Sequence, residues 1–261
     1  MLLLPLSLGA GREGDAAPAA APAVEIVGTA FRITLADGRV LADDGLVGVV
    51  LETADTDGRP LTVRVDGYRR DPLDPSGETV LYDLSTPDPA TGAWTGLCDP
   101  GPDGTRAGFP LAGAWTAAGE HVAAAGVFGI TCTSGAVGKC VRFGYRPWRT
   151  APDGRPMWAY HQACVRALRA DYCGDGRPHT RDGTAIDLYD RLGIERDEPA
   201  PGMSFEVAWG PDGALCVART RWPDLVTPEA LVRLCPERLA GRTGRSCAED
   251  RAPGALLFTK S

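Results

Sequence analysis

Lysine is almost missing from this 261-residue chain, occurring only at Lys139 and Lys260, and 27 basic side chains stand against 34 acidic ones for a net charge of -7. No basic field exists to draw in a phosphate backbone or an anionic lipid surface, so nucleic acid is not an expected partner. Long hydrophobic runs are missing too. The N-terminal stretch Met1 to Ala10 holds about seven apolar residues, against the ~20 needed to cross a bilayer, so no membrane span is expected there. The C-x-x-C pair of metal ribbons and redox sites is absent, as are the G-x-S-x-G elbow of hydrolases and the EF-hand pattern.

What is present points to a globular protein. A hydrophobic content of 44% is ample for a buried core at this length. Arginine supplies nearly all the positive charge, and with abundant Ala, Gly and Pro this usage suggests a GC-rich bacterial genome. Eight cysteines, Cys98, Cys132, Cys140, Cys164, Cys173, Cys216, Cys235 and Cys247, form an even set of disulfide candidates. Disulfides in turn imply an oxidising, extracytoplasmic compartment: secreted, periplasmic or outer-surface. Met1 to Ala10 fits the apolar part and small-residue exit of a signal peptide, although its basic n-region is lacking. Residues 11–23, rich in Ala and Pro, read as a solvated spacer.

The expected fold class is α+β, with an antiparallel β-rich N-terminal half over residues 24–120 and a disulfide-stapled C-terminal half over 121–261; one continuous domain over 24–261 is the alternative. Ala30 to Leu35 and Arg39 to Ala42 flank Asp37-Gly38, a hairpin dipeptide. Val47 to Thr53, Leu61 to Tyr68, Thr79 to Leu84 and a short run at Phe109 to Leu111 read as further strands. His121 to Thr133 reads as one buried strand. Ser134 is placed to cap a helix over Ala136 to Phe143, with Gly144 as its stop. Apolar residues from Met157 to Tyr172 recur at three and four positions and give a second helix, ended by Gly174. On one helix Cys164 and Cys173 would lie ~13 Å apart, beyond the ~7 Å reach of a disulfide, so each is expected to pair elsewhere. Ser204 to Trp209 and Ala214 to Thr220 form a hairpin around Gly210 to Gly213. Thr227 caps a third helix running through Leu231 to Leu239, and Cys216 with Cys235 is a plausible bridge.

The segment Tyr160 to Asp190, centred on Ala170-Asp171-Tyr172-Cys173, resembles the ADYC domain family of bacterial proteins, named for that tetrapeptide. Thr131 to Trp148 carries the likeness upstream, and it is dense over roughly 128–220. The resemblance implies a secreted bacterial setting and supplies no catalytic residues.

A nucleophilic set is Ser134 with His161 or His179 and Asp171. A soft metal set is His161, Cys164, Cys173 and His179. Asp171, Asp175, Asp182, Asp187 and Asp190 crowd a Gly-rich stretch and suggest calcium, although carboxylates beside glycines commonly form turns. Trp148, Trp158, Trp209 and Trp222 suggest an aromatic face for an extracellular protein or carbohydrate ligand, against the ordinary role of large aromatics in a core. The leading expectation is an extracytoplasmic, disulfide-stabilised structural or binding module without a cofactor. The alternative is a secreted hydrolase or metal-dependent enzyme using the His161 to His179 region.

Overall fold

The computed structural model describes residues 22–55, 58–116 and 118–261, so the leader and most of the spacer lie outside the described residues. Two compact units are built from the chain. The first takes the chain through Ala112 together with Ala124–Ser134, and the second takes Gly113–Ala123 together with Gly135–Ser261.

In the first unit, β1 (Ala23–Val27), β2 (Ala30–Thr34) and β3 (Val40–Leu41) form a small antiparallel sheet. The Asp37-Gly38 hairpin pairs Ile33 with Leu41, as expected, with Gly38 at positive φ. β4 (Val50–Ala54), β5 (Pro60–Arg70), β6 (Val80–Pro87), β7 (Trp94–Gly96) and β8 (Gly108–Ala112) follow. The chain then leaves for the second unit, where β9 (Ala114–Trp115) pairs with β10 (His121–Val122), and returns as β11 (Phe128–Cys132). The larger sheet has the order β11-β8-β6-β5-β4, with β7 on β6. Alternation explains its core: Val63 and Val65 are buried on either side of half-buried Arg64. Tyr82 joins the two sheets, its hydroxyl accepting from Phe31 N at 3.1 Å while its ring lies 5.4 Å from that of Phe31. Burial pushes the Tyr82 phenol up to about 12. Cys98 and Cys132 are bridged beneath Gly108, where an added Cβ would meet Thr131 O at 2.9 Å.

His121 to Thr133 is thus not one strand. Gly126 takes a positive φ inside a turn closed by Val127 N to Ala124 O, and the segment divides into β10 and β11 on different units. A run of apolar residues without turn dipeptides conceals such a break, because only the glycine signals it.

The second unit holds α1 (Ala136–Arg142), α2 (Met157–Arg169), β12 (Asp187–Asp190), β13 (Phe205–Gly210), β14 (Gly213–Val217), α3 (Pro228–Leu234), α4 (Pro236–Leu239) and β15 (Leu257–Lys260). Its four-stranded antiparallel sheet has the order β12-β15-β13-β14. α2 lies over this sheet, and Trp209 on β13 is wholly buried, its indole N–H donating to Thr259 Oγ1 at 2.9 Å. The expected β13–β14 hairpin is present, with the expected Thr227 cap on α3, Ala230 N to Thr227 Oγ1 at 3.2 Å.

Three expected boundaries move. Gly135, not Ser134, occupies the cap of α1, since Thr133 and Ser134 are used in the turn leaving β11. α2 stops at Arg169 rather than near Gly174, because Ala170 turns left-handed at φ 49°. The third helix breaks at Cys235 (φ -138°, ψ 67°), since Pro236 removes an amide donor and disfavours helical geometry in the residue before it.

All eight cysteines are bridged: Cys98 with Cys132, Cys140 with Cys164, Cys173 with Cys235, and Cys216 with Cys247. Cys164 and Cys173 each pair elsewhere, as expected. The pairing of Cys216 with Cys235 is corrected: Cys235 stands at the break before α4 and reaches Cys173, 5.7 Å away between Cα atoms. Cys216, on β14, is taken by Cys247 at 5.4 Å.

Candidate functional site

The tetrapeptide at 170–173 forms the exit of α2, and each of its residues has a structural partner. Ala170 is fully buried in the left-handed cap position, where its N–H and that of Asp171 close on Ala167 O and Arg166 O. Asp171 is wholly enclosed. Its carboxylate accepts from the Arg166 guanidinium, from Gly174 N at 3.0 Å and from Gly176 N at 2.9 Å. Arg166, equally buried, also donates to Ala118 O and to Pro211 O. The Tyr172 ring stacks on Trp209 at 5.5 Å; its hydroxyl donates to Glu206 Oε1 at 3.1 Å and accepts from Arg221 N at 2.9 Å. Burial and the Glu206 carboxylate push the Tyr172 phenol far above its usual range. Arg221 pairs with Glu206 at 3.3 Å and spends its other donors on Ala167 O and Leu168 O, the last carbonyls of α2. Cys173 is bonded to Cys235, and Gly174 follows at φ 76° where a Cβ would sit 1.8 Å from Asp212 O.

Within the nucleophilic set, Asp171 is committed to Arg166 and to two backbone amides. Ser134 belongs to the first unit, and His161, Asp171 and His179 to the second. His161 is 1% exposed, and burial holds its imidazole down to about 4. The neutral ring must therefore donate from Nε2 to Val137 O at 3.0 Å, since a carbonyl only accepts. His179 donates Nδ1–H to Ala170 O at 3.3 Å and lies against Tyr172. With Asp171 taken by Arg166 and two amides, neither histidine has it as an orienting acid.

The metal set loses its thiolates to bridges, Cys164 to Cys140 and Cys173 to Cys235. No cluster of three or more His, Cys, Asp or Glu able to hold a metal ion occurs among the described residues. In the calcium set, Asp175 turns back onto Arg177 N at 3.0 Å and Asp182 is exposed in a turn. Of the tryptophans, Trp209 is core and Trp222 lies under the Arg181 guanidinium at 4.1 Å, its N–H donating to Thr184. Trp148 and Trp158 are partly exposed.

One feature was not anticipated. A cavity of about 650 Å³ opens beside β12, with Phe143, Leu168, Leu188 and Ile194 among its walls. Its shape depends on Asp190, around whose carboxylate the following loop winds. Leu192 N, Gly193 N and Ile194 N donate to Oδ1, while Glu195 N at 2.9 Å and the Tyr145 hydroxyl at 2.7 Å donate to Oδ2. This wrapping brings Glu195 to the cavity beside Asp187 and Glu198. Burial, then the neighbouring Asp190 and Asp187, raise the Glu195 carboxyl above its usual range; burial and Asp197 do the same for Asp187. Asp187 Oδ2 is buried and accepts no hydrogen bond. The sequence carries a signal here, five carboxylates from Asp187 to Glu198, of which Asp187 and Asp190 also belong to the calcium set.

A family model described as the ADYC domain matches residues 43–223. None of the curated proteins and none of the solved structures matches the chain.

Proposed function

The chain belongs to the ADYC domain family, and from that premise we propose that it is an extracytoplasmic, disulfide-stabilised binding module of bacterial origin that performs no catalysis through its family motif. One observation carries this reading: the polar groups of Asp171 and Tyr172 and the sulfur of Cys173 are all committed to internal partners. A catalytic group needs a lone pair or proton facing a substrate, and these have none to offer. Supporting the compartment, four bridges with no free cysteine suit an oxidising environment. Among the described residues no helix is long and apolar enough to cross a membrane.

The test is fractionation of a bacterial host making the full chain, with mass spectrometry of the fractions with and without reductant. The expected result is protein outside the cytoplasm with the four bridges named above and no free thiol. Folded protein retained in the cytoplasm with eight free thiols would overturn the reading.

A further inference from the structure

The cavity beside β12 joins two properties that a folded chain does not ordinarily combine at no gain. Phe143, Leu168, Ile186 and Ile194 offer apolar wall. Against them stand three carboxylates, Asp187, Glu195 and Glu198; the one cation among the lining residues is Arg196, which makes no ion pair among the described residues, while Lys260, paired with Asp197, acts on Asp187 from outside the lining. Among the described residues none hydrogen-bonds to the Glu195 side chain, and its carboxyl is raised by burial and by acidic neighbours with no basic group offsetting them. Carboxylates nearby that do have structural roles look different: Asp190 accepts five donors, and Asp197 is paired with Lys260. Charge left uncompensated beside apolar wall destabilises the free protein, and clefts of this composition are where ligand contacts are found.

Building on the binding-module reading, we infer that this cavity is a binding site for a small organic cation, an alkyl- or arylammonium, whose apolar body packs on Phe143, Leu168 and Ile194 and whose ammonium group is held by Glu195 and Asp187. The volume of about 650 Å³ accommodates a body of phenyl size with room for water. The charge balance selects against anions: an incoming carboxylate would have Arg196 alone for a partner and three like charges around it. A neutral ligand would leave Glu195 uncompensated.

The sequence provides convenient reporters. It contains five isoleucines, Ile26, Ile33, Ile130, Ile186 and Ile194, and only the last two line the cavity. The full chain with labelled isoleucine methyl groups is titrated with 2-phenylethylammonium, 3-phenylpropan-1-ol and 3-phenylpropanoate, and methyl spectra are followed. The expected result is saturable movement of the Ile186 and Ile194 signals by the ammonium, at least about tenfold weaker binding of the alcohol, and none of the propanoate, tenfold being what one charged hydrogen bond is worth. Glu195→Gln should weaken the ammonium about tenfold, leave the alcohol unchanged and raise the thermal midpoint, because it removes a repelled charge and no partner. Equal binding of ammonium and alcohol, tighter binding of the propanoate, or still signals at both positions with all three probes would overturn the inference. Bridge mapping on the same sample separates the two readings: four intact bridges with a silent cavity remove the cation site and leave the module standing, whereas free thiols in the exported protein remove the module itself.

Discussion

Asp171 and Arg166 are 0% and 1% exposed at their side chains, so neither has water to fall back on if the other is removed. Replacing Asp171 by Asn leaves a buried guanidinium without its counter-charge, and a loss of about 3 kcal/mol is expected in urea unfolding with bridges intact. Asp175→Asn, in an exposed turn of the same segment, should change stability by about 0.5 kcal/mol or less. If the two variants unfold alike, Asp171 is not the structural keystone described above. His161 makes a pH-dependent contribution. Unfolded, it takes up a proton below about 6.5; folded, burial delays this to about 4. The unfolded state therefore binds more protons in that window. Stability from the neutral ring is complete above pH 6.5 and is lost as pH falls towards 4, by about 3 kcal/mol in all. His161→Gln, which retains a donor for Val137 O and does not titrate, should flatten this slope in denaturant midpoints measured across pH 4 to 7. At this scale the tetrapeptide was legible as a marker, but its roles were not. Arg166 is five residues from Asp171, while Glu206 and Arg221 are 34 and 49 residues from Tyr172, separations that no periodicity exposes. Glu195 is not set apart by its neighbours in sequence, because an uncompensated charge is defined by what surrounds it in space.

Elements with strong local signals appear where the sequence puts them, as α2, the β2–β3 and β13–β14 hairpins and the Thr227 cap show. Their ends were less legible. The left-handed turn at Ala170 falls on a residue that normally continues a helix, and it is held there by tertiary contacts around Asp171. β15 is only four residues long, too short for a pattern, yet it lies between β12 and β13 in the sheet. Where the exit of α2 crosses the tip of the β13–β14 hairpin, the backbones of Gly174 and Gly213 approach so closely that neither has room for a side chain. Gly174→Ala must therefore both hold alanine at φ 76° and displace Asp212 O. Gly193, at φ 78° with open space around it, bears the conformational cost alone. Gly193→Ala is expected to cost about 1 kcal/mol, and Gly174→Ala at least about twice that. Calorimetry of the two variants compares them directly, and equal losses would mean that the crossing is looser than its geometry indicates.

For the molecule as a whole, an α+β fold and the use of cysteine in bridges were legible from composition and pattern, because both are sums over many residues. Connectivity was not, since it depends on where each Cα comes to rest. Nor was the excursion of Gly113–Ala123 from one unit's sequence into the other, which Gln162 fastens by accepting from His121 N and donating to Gly119 O. The two bridges nearest the N-terminus, Cys98 with Cys132 and Cys140 with Cys164, join cysteines that are neighbours in chain order. The other two interleave, Cys173 to Cys235 spanning Cys216 while Cys216 to Cys247 spans Cys235. An oxidase that joins thiols in order of emergence would close the first two correctly and then link Cys173 to Cys216 and Cys235 to Cys247. Maturation should therefore depend on a shuffling catalyst that breaks and remakes those two links. Refolding of the reduced chain with oxidant alone is expected to accumulate this half-correct isomer, and adding a disulfide isomerase should convert it, as peptide mapping over time would reveal. A cell that exports the chain while lacking such a catalyst would then yield a protein whose first half is mature and whose second half waits.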